Sequence, residues 1–80
     1  MQPQDLILKR ECHGERIEYV LYLYDGTNVL KRVDGPWPDE AAAKRLSIEK
    51  WRSVGTIYYN SAPNTFVAIG GPERPSTSWV

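Results

Sequence analysis

Cys12 and His13 are the only cysteine and the only histidine of the 80-residue chain, and they are neighbours. A thiol beside an imidazole is the pairing that nucleophilic catalysis uses, provided the two reach each other and a third group orients the base. In a strand, adjacent side chains point to opposite faces, so this pair would be held apart. No third group stands out. His13 reads better as a turn residue and Cys12 as a small, partly buried side chain.

The other chemistry-bearing groups thin out in the same way. Asp39-Glu40 could do general acid/base work if one carboxyl were held in a dry pocket, but acids at a helix start more commonly complement the helix dipole. One histidine and one cysteine cannot close a zinc shell, and no calcium-loop spacing of Asp and Gly is present. Gly70-Gly71 is followed by proline and not by a helix, so it is no phosphate-cradling loop. The expectation is a chain without catalytic residues, metal or cofactor.

The aromatic residues are richer: Tyr19, Tyr22, Tyr24, Trp37, Trp51, Tyr58, Tyr59, Phe66 and Trp79. A sheet covered by one helix hides one face, so alternation puts Tyr22, Tyr24 and either Tyr58 or Tyr59 on the uncovered side. Exposed aromatics on a sheet can anchor a protein partner or stack unpaired bases, and they can also simply shield the sheet through cross-strand packing. The basic residues Lys9, Arg10, Arg16, Lys31, Arg32, Lys44, Arg45, Lys50 and Arg52 are interleaved with Glu11, Glu15, Glu18, Asp34 and Glu49. That dilutes any nucleic-acid stripe and reads as a mixed, solvated surface.

Ten basic and ten acidic residues cancel, so no global field draws the chain to nucleic acid or to an anionic membrane. An apolar fraction of 41% with 25% charged residues is that of an ordinary globular domain. No apolar run approaches the ~18 residues that would suggest a membrane span. The first residues lack the basic and apolar regions of a secretory signal, and a lone cysteine suits a reducing compartment, so the expected location is cytoplasmic.

The elements that must position these side chains follow from pattern and punctuation. Asp5–Cys12 reads as a strand running from core to edge, with a turn at His13-Gly14. Arg16–Tyr24 is the strongest strand, with Ile17, Tyr19, Leu21 and Leu23 on one face and Glu18, Val20, Tyr22 and Tyr24 on the other; it is expected at the centre of the sheet. Asp25-Gly26-Thr27-Asn28 supplies a reversal, and Val29–Val33 returns antiparallel.

Asp34-Gly35-Pro36-Trp37-Pro38 breaks the strand pattern. A helix then runs from Pro38 to about Val54, with Gly55 as its C-cap. Helical spacing puts Ala41, Ile48 and Trp51 inward with Lys44 beside them, Ala42 and Leu46 further round, and Arg45, Glu49 and Arg52 toward solvent. The three alanines 41–43 suggest close approach of helix to sheet. Thr56–Asn60 and Thr65–Gly70 form a second hairpin through Ser61-Ala62-Pro63-Asn64. The expected fold is α+β: an antiparallel sheet of about five strands in the order β-β-β-α-β-β with one helix on one face, a single domain over 1–70 and a Pro/Ser-rich tail over 71–80.

The helix Pro38-Asp39-Glu40-Ala41-Ala42-Ala43-Lys44-Arg45-Leu46 and onward, flanked by antiparallel strands in a near-neutral small chain, resembles small phage-encoded proteins of the anti-CRISPR type. The resemblance is one of architecture and spans roughly residues 5–70. It implies a non-enzymatic inhibitor that occupies a surface of a host CRISPR effector complex and blocks target nucleic acid or effector recruitment. The neutral charge departs from strongly acidic nucleic-acid mimics and so implies steric binding. The partner-binding residues expected are Tyr22, Tyr24, Tyr58 and Trp79 as anchors, with Arg10, Arg32, Arg45 and Arg52 at the rim. The expected partner is a protein, a host nucleoprotein complex among the candidates, and the chain itself a monomer or small homo-oligomer. Alternatives are a small nucleic-acid-binding domain using the same aromatics, or an assembly subunit docking its tail through Trp79.

Overall fold

A computed structural model describes residues 2–27 and 29–72. In chain order they form β1 (Leu6–His13), β2 (Arg16–Tyr24), β3 (Leu30–Trp37), α1 (Glu40–Trp51), β4 (Ile57–Ala62) and β5 (Thr65–Gly70), so the expected α+β succession holds. The five strands make one sheet in the order β3-β2-β1-β4-β5.

Two expectations about the sheet are corrected. It is mixed and not wholly antiparallel, because β1 and β4 run parallel, with Leu6 beside Ile57 and Lys9 beside Asn60. The middle strand is β1 and not Arg16–Tyr24. The cause is visible in Leu6-Ile7-Leu8: all three are buried, at 0%, 4% and 0% exposure, which a strand achieves only where both its faces are covered. The helix between β3 and β4 supplies the crossover that a parallel neighbour requires.

The third strand also runs further than its breakers suggest. Gly35 and Pro36 lie inside β3, whose pairing with β2 slips twice, between Tyr19 and Leu21 and again between Leu21 and Tyr22. Each slip adds a residue to β3. As an edge strand, β3 tolerates a proline without an N–H, and the two bulges absorb the surplus. Gly35 sits at φ +94, a conformation open mainly to glycine, with Tyr19 O and Val20 Cα close to where a side chain would begin. This detour delivers Trp37 opposite Tyr19, onto the core.

The helix begins two residues later than Pro38 and ends earlier than Val54. Asp39 is the N-cap, its Oδ2 accepting from Ala42 N at 2.9 Å, and Arg52 is the C-cap. Gly55 does not cap the helix through positive φ; it is buried against the carbonyl of Gln4. The inward face is only in part the one spacing suggested. Ala43 and Ser47, one turn apart, are wholly buried, with Ile48 and Trp51 packed at their side, while Ala41 is exposed. Small residues at the contact let the helix backbone come close to the sheet, and Ser47 Oγ is buried there without a hydrogen-bond partner.

Beneath α1 lies the main core of Leu6, Leu8, Tyr19, Leu21, Ala43, Ile57 and Tyr59. The rings of Tyr19 and Tyr59 stand 6.5 Å apart with a 35° tilt. Full burial of each leucine and isoleucine among them is worth about 1.5–3 kcal/mol. Two polar ties flank this packing: Trp51 Nε1 donates to Asp34 Oδ2 at 2.9 Å, and Tyr59 OH donates to Glu40 Oε1 at 2.7 Å. Lys44 Nζ bonds Glu40 at 3.2 Å and lies 4.4 Å over the Tyr59 ring, so the aliphatic stem of a charged residue closes the rim of the core.

Candidate functional site

The face of the sheet turned away from α1 carries Ile7, Lys9, Glu11 and His13 of β1 and Glu18, Val20, Tyr22 and Tyr24 of β2, since their neighbours in each strand enter the core. Tyr58 and Asn60 join them from β4, and Arg32, opposite Tyr22, from β3. Ile7 and Val20 are buried at 4% and 2% although no helix covers them. Leu30 of one edge strand and Phe66 of the other line the same cleft, so the sheet curls around this face. The curl does what a second helix would otherwise do.

The cleft measures about 480 Å³ and is lined by Ile7, Lys9, Arg10, Cys12, Leu30, Asn60, Phe66 and the turn 61–64. It opens where β1 outruns β4, because pairing between them stops at Lys9 and Asn60 while β1 continues to His13. Asn60 shapes the far wall, its Nδ2 donating to Ala62 O at 2.7 Å and Thr65 O at 3.0 Å. Leu6 N donates to Thr56 O, so alternation turns the main-chain groups of every second residue of β1 toward β4. Cys12, past the last pair, therefore presents its N–H and C=O to the cleft. The result is a largely apolar trough with an open strand edge and the cations of Lys9 and Arg10 at its lip.

Of the residues singled out from sequence, Tyr22, Tyr24, Tyr58 and Arg32 share this uncovered face. The tyrosines are half-buried, so they do not stand out into solvent as expected. Tyr22 OH donates a short hydrogen bond to Glu11 Oε2. Tyr59 belongs to the core. Arg10 alternates onto the helix side, near Glu40 and Tyr59, and reaches the cleft at the strand edge. Arg45 lies on α1 and Arg52 caps its end, both in the other layer, and Arg52 is half-buried, which corrects its assignment to a purely solvent-facing stripe. Trp79 lies outside the described residues. Leu30, Phe66 and Asn60 were missed as lining; only a curled sheet brings them together, and no local pattern announces that.

Cys12 and His13 point to opposite faces, as strand alternation requires. His13 Nε2 stands 3.4 Å from Glu11 and 4.0 Å from Glu18, and Arg16 Nε bonds Glu18 at 3.0 Å, forming a charged cluster at the tip of the β1–β2 hairpin. Among the described residues, no three of His, Cys, Asp and Glu are grouped as metal ligands. No described helix is long and apolar enough to cross a membrane.

These pairs make stability depend on pH in a stated sense. The hydrogen bond from Tyr22, helped by His13 and Lys9, holds Glu11 below its ordinary 4.5 against a smaller effect of burial. Tyr59, with Lys44, does the same for Glu40. Burial, reinforced by Glu40, pushes the Tyr59 hydroxyl up from 10.0, and the bond to Glu11 raises Tyr22. A depressed carboxylate contributes stability that is present above its unfolded value and lost as pH falls; a raised phenol contributes stability that is present below its unfolded value and lost as pH rises. Urea midpoints should therefore form a plateau between about 4.5 and 10.0 and fall on both sides. Tyr22→Phe should flatten the acid limb, and an unchanged acid limb in that variant would contradict the assignment.

No family model, no curated protein and no solved structure matches this chain.

Proposed function

We propose that this chain is a non-enzymatic protein-binding module whose partner enters the cleft as an extended segment beside the open edge of β1. The observation that carries this reading is one site combining exposed Leu30 and Phe66, the lip cations Lys9 and Arg10, and the unpaired main chain of Cys12. Strand addition draws affinity from main-chain hydrogen bonds and specificity from pockets for alternate side chains. The chemistry that fits is a segment with an apolar side chain for the trough and an acidic one for its lip. Tyr22, Tyr24, Tyr58 and Arg32 extend the contact over the same face. The likeness to small phage inhibitors suggests the setting: occupation of a surface on a larger host complex, without turnover.

Leu30→Glu puts a charge on the trough wall at a position that is already 37% exposed, so the domain should remain folded. Affinity capture from host extract with the parent chain, Leu30→Glu and the helix-face variant Arg45→Ala is the test. A protein retained by the parent and by Arg45→Ala but lost by Leu30→Glu is the expected result. Equal capture by all three, or a mobility shift of nucleic acid at moderate salt that Leu30→Glu does not weaken, would overturn it.

A further inference from the structure

The two edges of the sheet are built differently. β3 carries Lys31, Arg32, Asp34 and Pro36 and two bulges, devices that keep a strand edge from pairing with another chain. β5 lacks the charges and the proline: Thr65-Phe66-Val67-Ala68-Ile69-Gly70 contains neither, its own ladder with β4 slips at Ile69 and again past Tyr59, and Phe66 and Val67 are 47% and 56% exposed on its two faces. A six-residue apolar strand left open in this way is a template for another strand.

We propose that β5 pairs with β5 of a second copy of this chain, antiparallel about a two-fold axis through Val67. The partner and the register both follow from residues already described. A two-fold contact sets each side chain against its own kind or a close neighbour, so an edge bearing charge repels its copy and a neutral one does not. The same neutrality makes β5 a poor match for the acidic segment proposed for the cleft. Register follows from the ladder. Thr56 O faces β1, so alternation turns the main chain of Tyr59 toward β5, and Val67, its partner, is bonded inward.

Phe66 and Ala68 therefore turn their N–H and C=O groups outward. A two-fold axis at Val67 brings Phe66 opposite Ala68 of the copy, satisfying those groups reciprocally and seating a large side chain against a small one. Thr65 meets Ile69 on the other face beside the facing valines. The contact is too short to reach the ~1,200 Å² of a stable complex, so dimer and monomer exchange with concentration. It meets the cleft only through Phe66, whereas Val67 lies on the opposite face of β5 from Phe66.

Sedimentation of the full chain from micromolar to millimolar concentration should show reversible growth from monomer to dimer. Val67→Lys and Val67→Glu, each directly opposite itself across the axis, should each weaken association roughly tenfold or more, while an equimolar mixture of the two recovers it. In a Cys12→Ser background, Val67→Cys should give an oxidised dimer and Thr65→Cys should not, because only residue 67 faces itself. Circular dichroism of each variant confirms that it is folded, and Leu30→Glu should leave association intact. A chain that stays monomeric throughout, charged variants that associate like the parent, or equal cross-linking at 65 and 67 would overturn the proposal.

Discussion

Gly55→Ala should leave little folded protein. A β-carbon there would lie 1.9 Å from Gln4 O and 2.7 Å from Gln4 C, both main-chain atoms that cannot swing aside as a side-chain end can. Gln4 is tied down on its own account: its N–H bonds Tyr24 O at 2.8 Å, and it already bends at φ 77. The next two residues are fixed as well, Asp5 N to Gln2 O at 3.1 Å and Leu6 N to Thr56 O at 2.8 Å. Moving Gln4 away would pull the start of β1 off both neighbours at once, and β1 is the strand that joins the two halves of the sheet. The expected loss exceeds ~3 kcal/mol, well above the ordinary effect of a point substitution. Against a total of about 5–15 kcal/mol for a domain, at the low end for one this small, that is a large share. Urea denaturation followed by circular dichroism measures it; a midpoint within experimental scatter of the parent would show that the helix exit can shift without disturbing β1. Gly14→Ala is the internal contrast, since nothing lies within 4 Å of its added carbon and only its φ of +65 opposes the change.

The contrast between these glycines also shows what was legible in the chain and what was not. Signals read over a few residues served well. Asp25-Gly26 forms the expected turn, with Asp25 Oδ1 accepting from Thr27 N at 3.0 Å, and Tyr19 and Leu21 lie inward as alternation required. Signals that depend on distant partners did not. Gly55 looked like a helix cap, yet its role is to admit the carbonyl of a residue some fifty positions earlier. β1 does run from buried Leu6-Ile7-Leu8 to an exposed end, as its pattern implies, but three consecutive buried residues also mark a strand covered on both faces, and so the central position falls to it and not to Arg16–Tyr24. Gly35 and Pro36 looked like breakers because a central strand could not hold them; an edge strand with bulges can. On the helix, Ile48 and Trp51 lie inward as spacing implies, but the centre of the contact, Ala43 and Ser47, carries almost no hydropathy contrast and is set by smallness. The same limit governs the site. Alternation places Tyr22, Tyr24 and one of Tyr58 and Tyr59 on the uncovered face, and the structure selects Tyr58, but the curl that half-buries them and draws Leu30 toward Phe66 arises from the whole sheet.

Leu8→Ala should be the most damaging of the simple truncations, and its neighbour Lys9→Ala among the mildest. Leu8 has no exposed surface; it lies opposite Leu21 on one side and beside Tyr59 on the other, under α1. Removing its side-chain branches forfeits transfer free energy and leaves a cavity that two strands locked in register cannot collapse, an expected loss of about 2–5 kcal/mol. Lys9, one residue on, is exposed and turned to the other face, where truncation removes only a solvated stem and should stay within about 0.5 kcal/mol. Equilibrium urea unfolding of the two variants therefore reads out the two faces of one strand. The pairing matters for function because the same Lys9 sits at the lip of the cleft. A Lys9→Ala chain as stable as the parent but weaker toward an acidic segment would separate binding from folding at adjacent positions. If instead Leu8→Ala were tolerated, the core beneath α1 would be looser than its packing implies, and the parallel register of β1 and β4, which rests on Leu8 standing beside Tyr59, would be wrong with it.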